Sequence, residues 1–198
     1  MIAVQEALRR IGADLDDLGH RWALIGGLAV TARAEPRLTR DVDVAVAVAD
    51  DRAAEALVMD LRARGYGLSV ALEQTATSRL STVRLFSPAR TPERVLVDLL
   101  FASSGIEPEL VSAAERIPVA PGTVFPVARI GHLIALKVLA RNDRSRPQDW
   151  DDLKALVAEA TAKEMERARE ALRLIEARGF ARGKDLLAEL DRFLHEIA

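Results

Sequence analysis

Two aspartates stand at the start of a valine-rich run in the stretch "LIGGLAVTARAEPRLTRDVDVAVAV", which covers residues 24–48. The run has the composition of a buried strand, and side chains two residues apart on a strand share one face. Asp41 and Asp43 are therefore predicted on one face, about 6–7 Å apart, with the valines on the other. Two carboxylates this close repel each other and lose solvation when buried, so their charge has to be offset.

A divalent cation offsets such charge directly, because Mg²⁺ takes oxygen ligands from one or two carboxylates and from substrate phosphates. The alternative places both aspartates at an exposed strand edge or in a turn after Arg40. The paired glycines Gly26 and Gly27 favour the first interpretation, since they close a short apolar strand and lead into a helical segment. Backbone N–H groups at a helix start can hold a phosphate, although tight turns also use paired glycines.

Composition narrows the class of protein. The chain has 198 residues, of which 49% are hydrophobic, enough for one domain or one domain with a helical appendage. A net charge of -2 argues against a general nucleic-acid binder, although a local basic patch remains possible. The absence of cysteine excludes disulfides and cysteine-based zinc sites. No apolar stretch reaches the roughly 18 residues of a membrane span, so a soluble, cytoplasmic protein without a membrane partner is expected.

Periodicity predicts an α/β (α+β) fold, in which a mixed sheet with flanking helices precedes an all-helical C-terminal part. Strands are expected at Arg21–Gly26, at "DVDVAVAVA" and within 67–72, 79–86 and 94–101. The proline-rich segment 117–128 is expected to be extended or turning. Helices are predicted at 3–18, after the paired glycines, at 50–65, near 107–115, and at 130–142, 147–159, 161–178 and 183–197.

Further charged residues lie where apolar residues are expected. Asp98 interrupts the apolar strand "VLVDLLFA", either as part of a site, as a paired buried acid, or on an exposed edge strand. Lys137 interrupts a helix that is apolar nearly all round, so it must reach solvent or face a polar cavity, where phosphate would be a natural partner. Asp149 and Asp152 follow at helical spacing, and as sequence alone they read as acids at a helix start.

Together these elements resemble the nucleotidyltransferase fold of the DNA polymerase β superfamily, whose signature is Gly-Gly or Gly-Ser followed by Asp-x-Asp on the next strand. The ordered set of paired glycines, Asp-x-Asp, a helical lysine and a "KDxxDL"-like element is similar to the AbiEii and MenT-type nucleotidyltransferases, toxins of type IV toxin–antitoxin systems. Here the last element reads "QDWDDL", with Gln148 in place of the first lysine. The resemblance covers roughly residues 20–156.

The resemblance implies a role for each of these residues. Asp41 and Asp43 would bind Mg²⁺ (or Mn²⁺) with Asp98 as the third acid, which would also activate the acceptor nucleophile. Gly26 and Gly27 would bind phosphate, and Lys137 would bind the triphosphate. Asp149 or Asp152 would orient Lys137 or assist catalysis. Arg40 would contact the triphosphate, although it could equally be a surface arginine. Residues 1–128 would form the core, and residues 129–198 a helical region that completes the active site.

The implied activity is transfer of a nucleoside monophosphate from an NTP to an acceptor, which for the toxin relatives is the 3′ end of tRNA. A cognate antitoxin is the implied protein partner. Arg141, Arg144 and Arg146 could form a patch for an RNA backbone, or simply a solvated helix end. Two alternatives stay open: transfer to a small molecule such as an aminoglycoside hydroxyl, and a non-catalytic nucleotide-binding regulator.

Overall fold

The computed structural model describes residues 2–74, 79–88, 94–120, 122–141 and 147–197. Within these residues the chain forms seven strands and eight helices. The strands are β1 (Arg21–Ile25), β2 (Asp41–Ala47), β3 (Gly67–Gln74), β4 (Arg79–Phe86), β5 (Leu96–Leu100), β6 (Glu115–Ala120) and β7 (Thr123–Val127). The helices are α1 (Ile2–Asp17), α2 (Gly26–Arg33), α3 (Asp51–Ala63), α4 (Glu107–Ser112), α5 (Ile130–Ala140), α6 (Pro147–Glu159), α7 (Ala162–Ala177) and α8 (Leu186–Ile197).

The strands form one mixed sheet in the order β3-β4-β5-β2-β1-β7-β6. Strand β2 lies in the middle, antiparallel to β1 and parallel to β5. Apolar and acidic residues alternate along β2, which explains its position in the sheet. Val42, Val44 and Val46 are fully buried on one face, while Asp41 and Asp43 are only partly buried on the other. The predicted mixed sheet with flanking helices and a helical C-terminal part is confirmed.

A single apolar core runs through the sheet and the C-terminal helices. Fully buried residues come from α1 (Leu8), β1 (Leu24), β5 (Leu99), α5 (Leu133) and α8 (Phe193), and all belong to one continuous cluster. Helix α5 packs on α7 and α6, and α6 also reaches α2. Helix α2 in turn packs on β2, so the C-terminal helices are connected through α2 to the strand that carries the two aspartates.

The proline-rich segment differs in detail from the expectation. It contributes the antiparallel pair β6–β7, which extends the sheet beyond β1. Prolines are tolerated there because Pro118 lies on the edge strand β6, and in the described part of the chain β7 pairs with β1 at Val127 and Leu24, beyond Pro126. None of the helices in the described ranges combines the length and apolar character needed to cross a membrane.

Candidate active site

At the junction between β1 and α2, the backbone of Gly26 lies against the carboxylate of Asp43. Strand β1 ends at Ile25 and α2 begins at once with Gly26, whose φ of +62° is unfavourable for any side chain. A Cβ at Gly26 would also overlap the Asp43 side chain, 2.5 Å from its Cγ. Glycine is therefore required for β2 to bring Asp43 up to the first turn of α2, and the N–H groups at a helix start favour an anion such as a carboxylate or phosphate.

Asp43 and Asp98 lie side by side on neighbouring strands. The parallel register of β2 and β5 pairs these two residues, so their side chains leave the sheet on the same face. Asp41 shares that face two residues earlier on β2, at the start of the strand. The structure thus brings together three acids that are up to 57 positions apart in the chain (residues 41 to 98).

The loop before β2 orients the first of these acids. The Thr39 hydroxyl donates a hydrogen bond to Asp41 Oδ1 over 2.8 Å. Arg40, the predicted triphosphate contact, is exposed beside it. Arg37, which the sequence interpretation did not single out, packs its guanidinium so closely against Gly27 that a Cβ there would lie 2.6 Å from Arg37 Nη2.

Arg84 on β4 holds Asp98 in a two-bond contact. Its Nε and Nη2 donate to Asp98 Oδ1 and Oδ2 over 2.7 and 2.6 Å, the fork geometry that guanidinium and carboxylate share. The hydrogen bonds to Asp98 raise the pKa of Arg84 above its usual value, and burial lowers it by a smaller amount. The negative charges of Asp98, Asp41 and Asp43 raise this pKa further. All three acids therefore act on this one cation.

Lys137 lies at the centre of a buried ionic cluster. Its Nζ is 2.7 Å from Asp149 Oδ1 and 2.6 Å from Asp152 Oδ2. Asp152 is shared with Arg37, whose Nε lies 2.6 Å from Asp152 Oδ1 and whose Nη2 donates to Oδ2 over 3.0 Å. Asp149 and Asp152 are almost fully buried, so a simple helix-start role does not account for them. Their burial is tolerated because each charge meets an opposite one.

This ionic cluster joins the C-terminal helices to the glycine junction. Lys137 comes from α5, the two acids from α6, and Arg37 from the loop that packs on Gly27. Sequence alone offered one signal for Arg37, its place four residues before Asp41, but no sign of its partner. Arg84 gave no such signal, because its strand reads RLSTVRLF and an arginine at an exposed position of a partly polar strand is ordinary.

A cavity of about 160 Å³ lies beside the same loop, between α1, α2 and the β6–β7 pair. Its apolar walls include Leu8, Leu28 and Phe125. Arg37 and Thr39 also line it, so the cavity and the acids share the loop before β2. An apolar space with hydroxyl and guanidinium groups on one side suits a flat group with a polar edge.

The remaining predicted residues have simpler positions. Arg141 stacks over the rings of Trp150 and Phe193, 4.8 and 5.5 Å from their centroids, whereas Arg144 and Arg146 lie outside the described residues. His132 is buried on α5, and burial lowers its pKa to about 4. Its charged surroundings come from the neighbouring Arg167 and Glu164 rather than from the three acids.

Asp41 and Asp43 together suit a hard divalent cation such as Mg²⁺. Asp41 and Asp43 offer carboxylate oxygens on one face at the open start of β2, and Mg²⁺ commonly takes one or two carboxylates from a protein. Among the residues that the structure describes, no group of three or more His, Cys, Asp or Glu side chains is arranged to hold a metal. Both Asp98 oxygens accept hydrogen bonds from Arg84, so its role as a third metal ligand stays a prediction.

The mixed sheet, the glycine junction and the aligned acids define a protein of the nucleotidyltransferase class. Solved structures with this fold include an antigenic nucleotidyltransferase-like protein from Paracoccidioides brasiliensis (TM-score 0.54, 17% identity, covering 96% of this chain and 92% of that one). The antibiotic-resistance factor ANT(2'')-Ia matches with a TM-score of 0.54 and 16% identity over 96% of each chain. The lincosamide antibiotic adenylyltransferase LnuA, bound to lincomycin, matches with a TM-score of 0.51 and 14% identity over 78% of this chain and 97% of that one.

The family model of the nucleotidyl transferase AbiEii toxin, type IV toxin–antitoxin system, matches residues 6–197. The chain therefore belongs to this family of nucleotidyltransferase toxins, as the sequence resemblance predicted. No curated protein matches the chain in sequence. Membership in a toxin–antitoxin family implies an antitoxin partner and an NTP substrate.

Proposed function

We propose that this nucleotidyltransferase transfers a nucleoside monophosphate from an NTP to the 3′ end of tRNA, with a divalent cation held by Asp41 and Asp43. One observation carries the proposal: Asp43 and Asp98 are aligned on adjacent strands directly beside the glycine junction that begins α2. The acids and the backbone N–H groups at the start of α2 then lie next to each other, as binding of a metal–triphosphate complex requires. The tRNA acceptor is the one that the sequence resemblance implies.

The proposed chemistry is an in-line displacement at the α-phosphorus. An acceptor hydroxyl oxygen forms a bond to phosphorus, the bond to the β-phosphate oxygen breaks, and pyrophosphate leaves. Asp98 accepts the hydroxyl proton, since it lies beside Asp43 and a carboxylate keeps lone pairs beyond the two that Arg84 uses. Mg²⁺ or Mn²⁺ bound by Asp41 and Asp43 would supply charge stabilisation for the phosphoryl oxygens.

The other residues position the triphosphate. Gly26 and Gly27 offer backbone N–H groups at the start of α2, and their lack of a side chain lets a phosphate approach. Lys137 supplies a positive charge whose place is fixed by Asp149 and Asp152, so little reorganisation accompanies binding. Arg40, exposed just before Asp41, is the proposed outer contact for the triphosphate.

A small molecule is the second candidate acceptor, because ANT(2'')-Ia and LnuA, which carry this fold, are an antibiotic-resistance factor and an antibiotic adenylyltransferase. The two acceptors predict different labelled products. The third possibility, a nucleotide-binding regulator without catalysis, predicts no labelled product.

The test is label transfer from each α-phosphate-labelled NTP, in Mg²⁺, to total tRNA or to an aminoglycoside. We expect label on tRNA, and a loss of at least about a hundredfold in Asp41→Asn. The matched control is Asp60→Asn, which changes an exposed acid on α3 and should keep the wild-type rate. Label on the aminoglycoside alone would replace the tRNA proposal, and no label on any acceptor would reject the transferase proposal.

A further inference from the structure

Arg84, Asp98 and Asp43 form a row across three neighbouring strands. Arg84 lies opposite Asp98 in the antiparallel pair β4–β5, and Asp98 lies beside Asp43 in the parallel pair β5–β2. Residues paired in register share a face of the sheet, so all three side chains leave the sheet on the side of the predicted metal site. The row places a permanent cation within one strand spacing of the third acid.

The contact between Arg84 and Asp98 uses the whole carboxylate. Each of the two oxygens accepts one hydrogen bond from the guanidinium, at 2.7 and 2.6 Å. The Asp98 side chain is only 9% exposed, whereas that of Arg84 is 44% exposed. The acid is therefore fixed, and the arginine has open space into which it can move.

Charge explains why such a contact forms. Asp41, Asp43 and Asp98 share one face, and like charges this close destabilise each other unless a cation lies among them. Arg84 supplies one positive charge, and the residual charge of the four groups is that of a site for one divalent ion. Arg84 uses one lone pair on each Asp98 oxygen, so a metal that took Asp98 as a ligand would compete with the adjacent guanidinium for the charge of the same carboxylate.

We propose that Arg84 and the divalent cation compete for Asp98, so that the protein without nucleotide binds one ion through Asp41 and Asp43 while Arg84 positions Asp98. This inference rests on the proposed function, whose metal site it refines. It makes Arg84 a positioning residue: the guanidinium holds Asp98 in place beside Asp43 and limits the affinity of the site for metal.

The test measures Mn²⁺ binding without nucleotide, by electron paramagnetic resonance of the free ion and by calorimetry. Removing the guanidinium in Arg84→Gln should tighten Mn²⁺ binding about tenfold, because Asp98 becomes available and a nearby positive charge is lost. Arg79→Gln is the matched control: Arg79 lies on the same strand but pairs with Asp51, 3.2 Å away, so the change in affinity should stay below about twofold.

A double-mutant cycle separates competition from a simple field effect. If Arg84 and the metal compete for Asp98, Arg84→Gln should tighten binding at least about fivefold more with Asp98 present than in an Asp98→Asn background. Equal tightening in both backgrounds would overturn the inference, because the effect would then be long-range electrostatics. Unchanged or weaker binding in Arg84→Gln would overturn it as well.

Two further outcomes also decide the inference: an Arg84→Gln variant that does not fold, and proteins that do not bind Mn²⁺. If Arg84→Gln fails to fold, Arg84→Lys keeps the charge but loses the two-bond contact, and should tighten Mn²⁺ binding in the same direction with the same dependence on Asp98. Failure of wild type and every variant to bind Mn²⁺ would reject the metal site of the proposed function together with this inference. Binding that ignores residue 84 would reject the inference alone.

Discussion

Gly26 links backbone conformation to the position of an acidic side chain. Gly26→Ala should abolish most label transfer and lower the free energy of unfolding, because the new Cβ is strained at φ +62° and displaces Asp43. Gly19→Ala is the matched control, since Gly19 has a φ of +74° with open space around it. That control should lose about 1 kcal/mol of stability and keep its activity. Equal activity losses in the two variants would contradict the close-approach argument.

Asp152 connects the buried Lys137 to the partly buried Arg37, so its charge should matter more than its shape. Asp152→Asn keeps the size of the side chain but leaves Lys137 and Arg37 to share less negative charge, and should cost about 3 kcal/mol of unfolding free energy. Asp151→Asn changes the exposed neighbouring acid and should be nearly neutral. Urea denaturation of the two variants measures the difference, and similar small losses in both would show that the ionic cluster contributes little.

Individual residues differed in how well the sequence predicted them. Asp98 could be recognised because a single acid in an apolar strand needs a partner, whereas Arg84 lies at an exposed position of the partly polar strand β4 and could not. The contact between Arg37 and Asp152 could not be predicted, since it joins residues 115 positions apart through the packing of α6 on the loop before β2. Asp149 and Asp152 fitted a helix start equally well, and only their burial beside Lys137 distinguishes the two interpretations.

Helix α5 carries a buried histidine that should make stability depend on pH. Burial lowers the pKa of His132 from 6.5 to about 4, and its Nδ1 has no hydrogen-bond partner among the described residues. Between these pKa values the unfolded chain binds a proton that the folded chain does not, so stability falls as pH falls. From pH 7.5 to pH 5 this group should cost about 2 kcal/mol.

His132→Leu isolates that contribution. Other groups also titrate towards pH 5, so the quantity to measure is how much more stability the wild type loses between the two pH values than the variant does. We expect the wild type to lose about 2 kcal/mol more in urea denaturation. Identical pH dependence in the two proteins would show that His132 is charged or solvated in the folded state.

Elements with strong periodicity were predictable, and elements defined by pairing were less so. Helices α1, α3 and α7 end within about two residues of their predicted limits, as amphipathic spacing and capping residues allow. Strands β6 and β7 were expected only as an extended or turning segment, because their prolines weaken the strand signal and their pairing depends on the edge of β1. Strand pairing is a long-range property that local sequence does not encode.

The whole molecule should unfold as one unit. The core is continuous from α1 to α8, and the ionic cluster of Lys137 joins the helices to the loop before β2. The two tryptophans report on the two parts, Trp22 in the sheet and Trp150 in α6. Each of the variants Trp22→Phe and Trp150→Phe keeps one tryptophan. In each variant, the urea transition followed by tryptophan fluorescence should coincide with the transition followed by circular dichroism. Separate transitions within one variant would show that residues 1–128 and 129–198 unfold independently.

Nucleotidyl transfer at the sheet edge formed by Asp41, Asp43 and Asp98 is the central proposal for this protein. The most direct measurement compares pyrophosphate released with nucleotide gained at the tRNA 3′ end, determined by mass spectrometry of the same reaction, for wild type and Asp43→Asn. We predict equal amounts of pyrophosphate and added nucleotide in the wild type, and loss of both in the variant. Pyrophosphate release without nucleotide addition, or full activity in Asp43→Asn, would contradict the account.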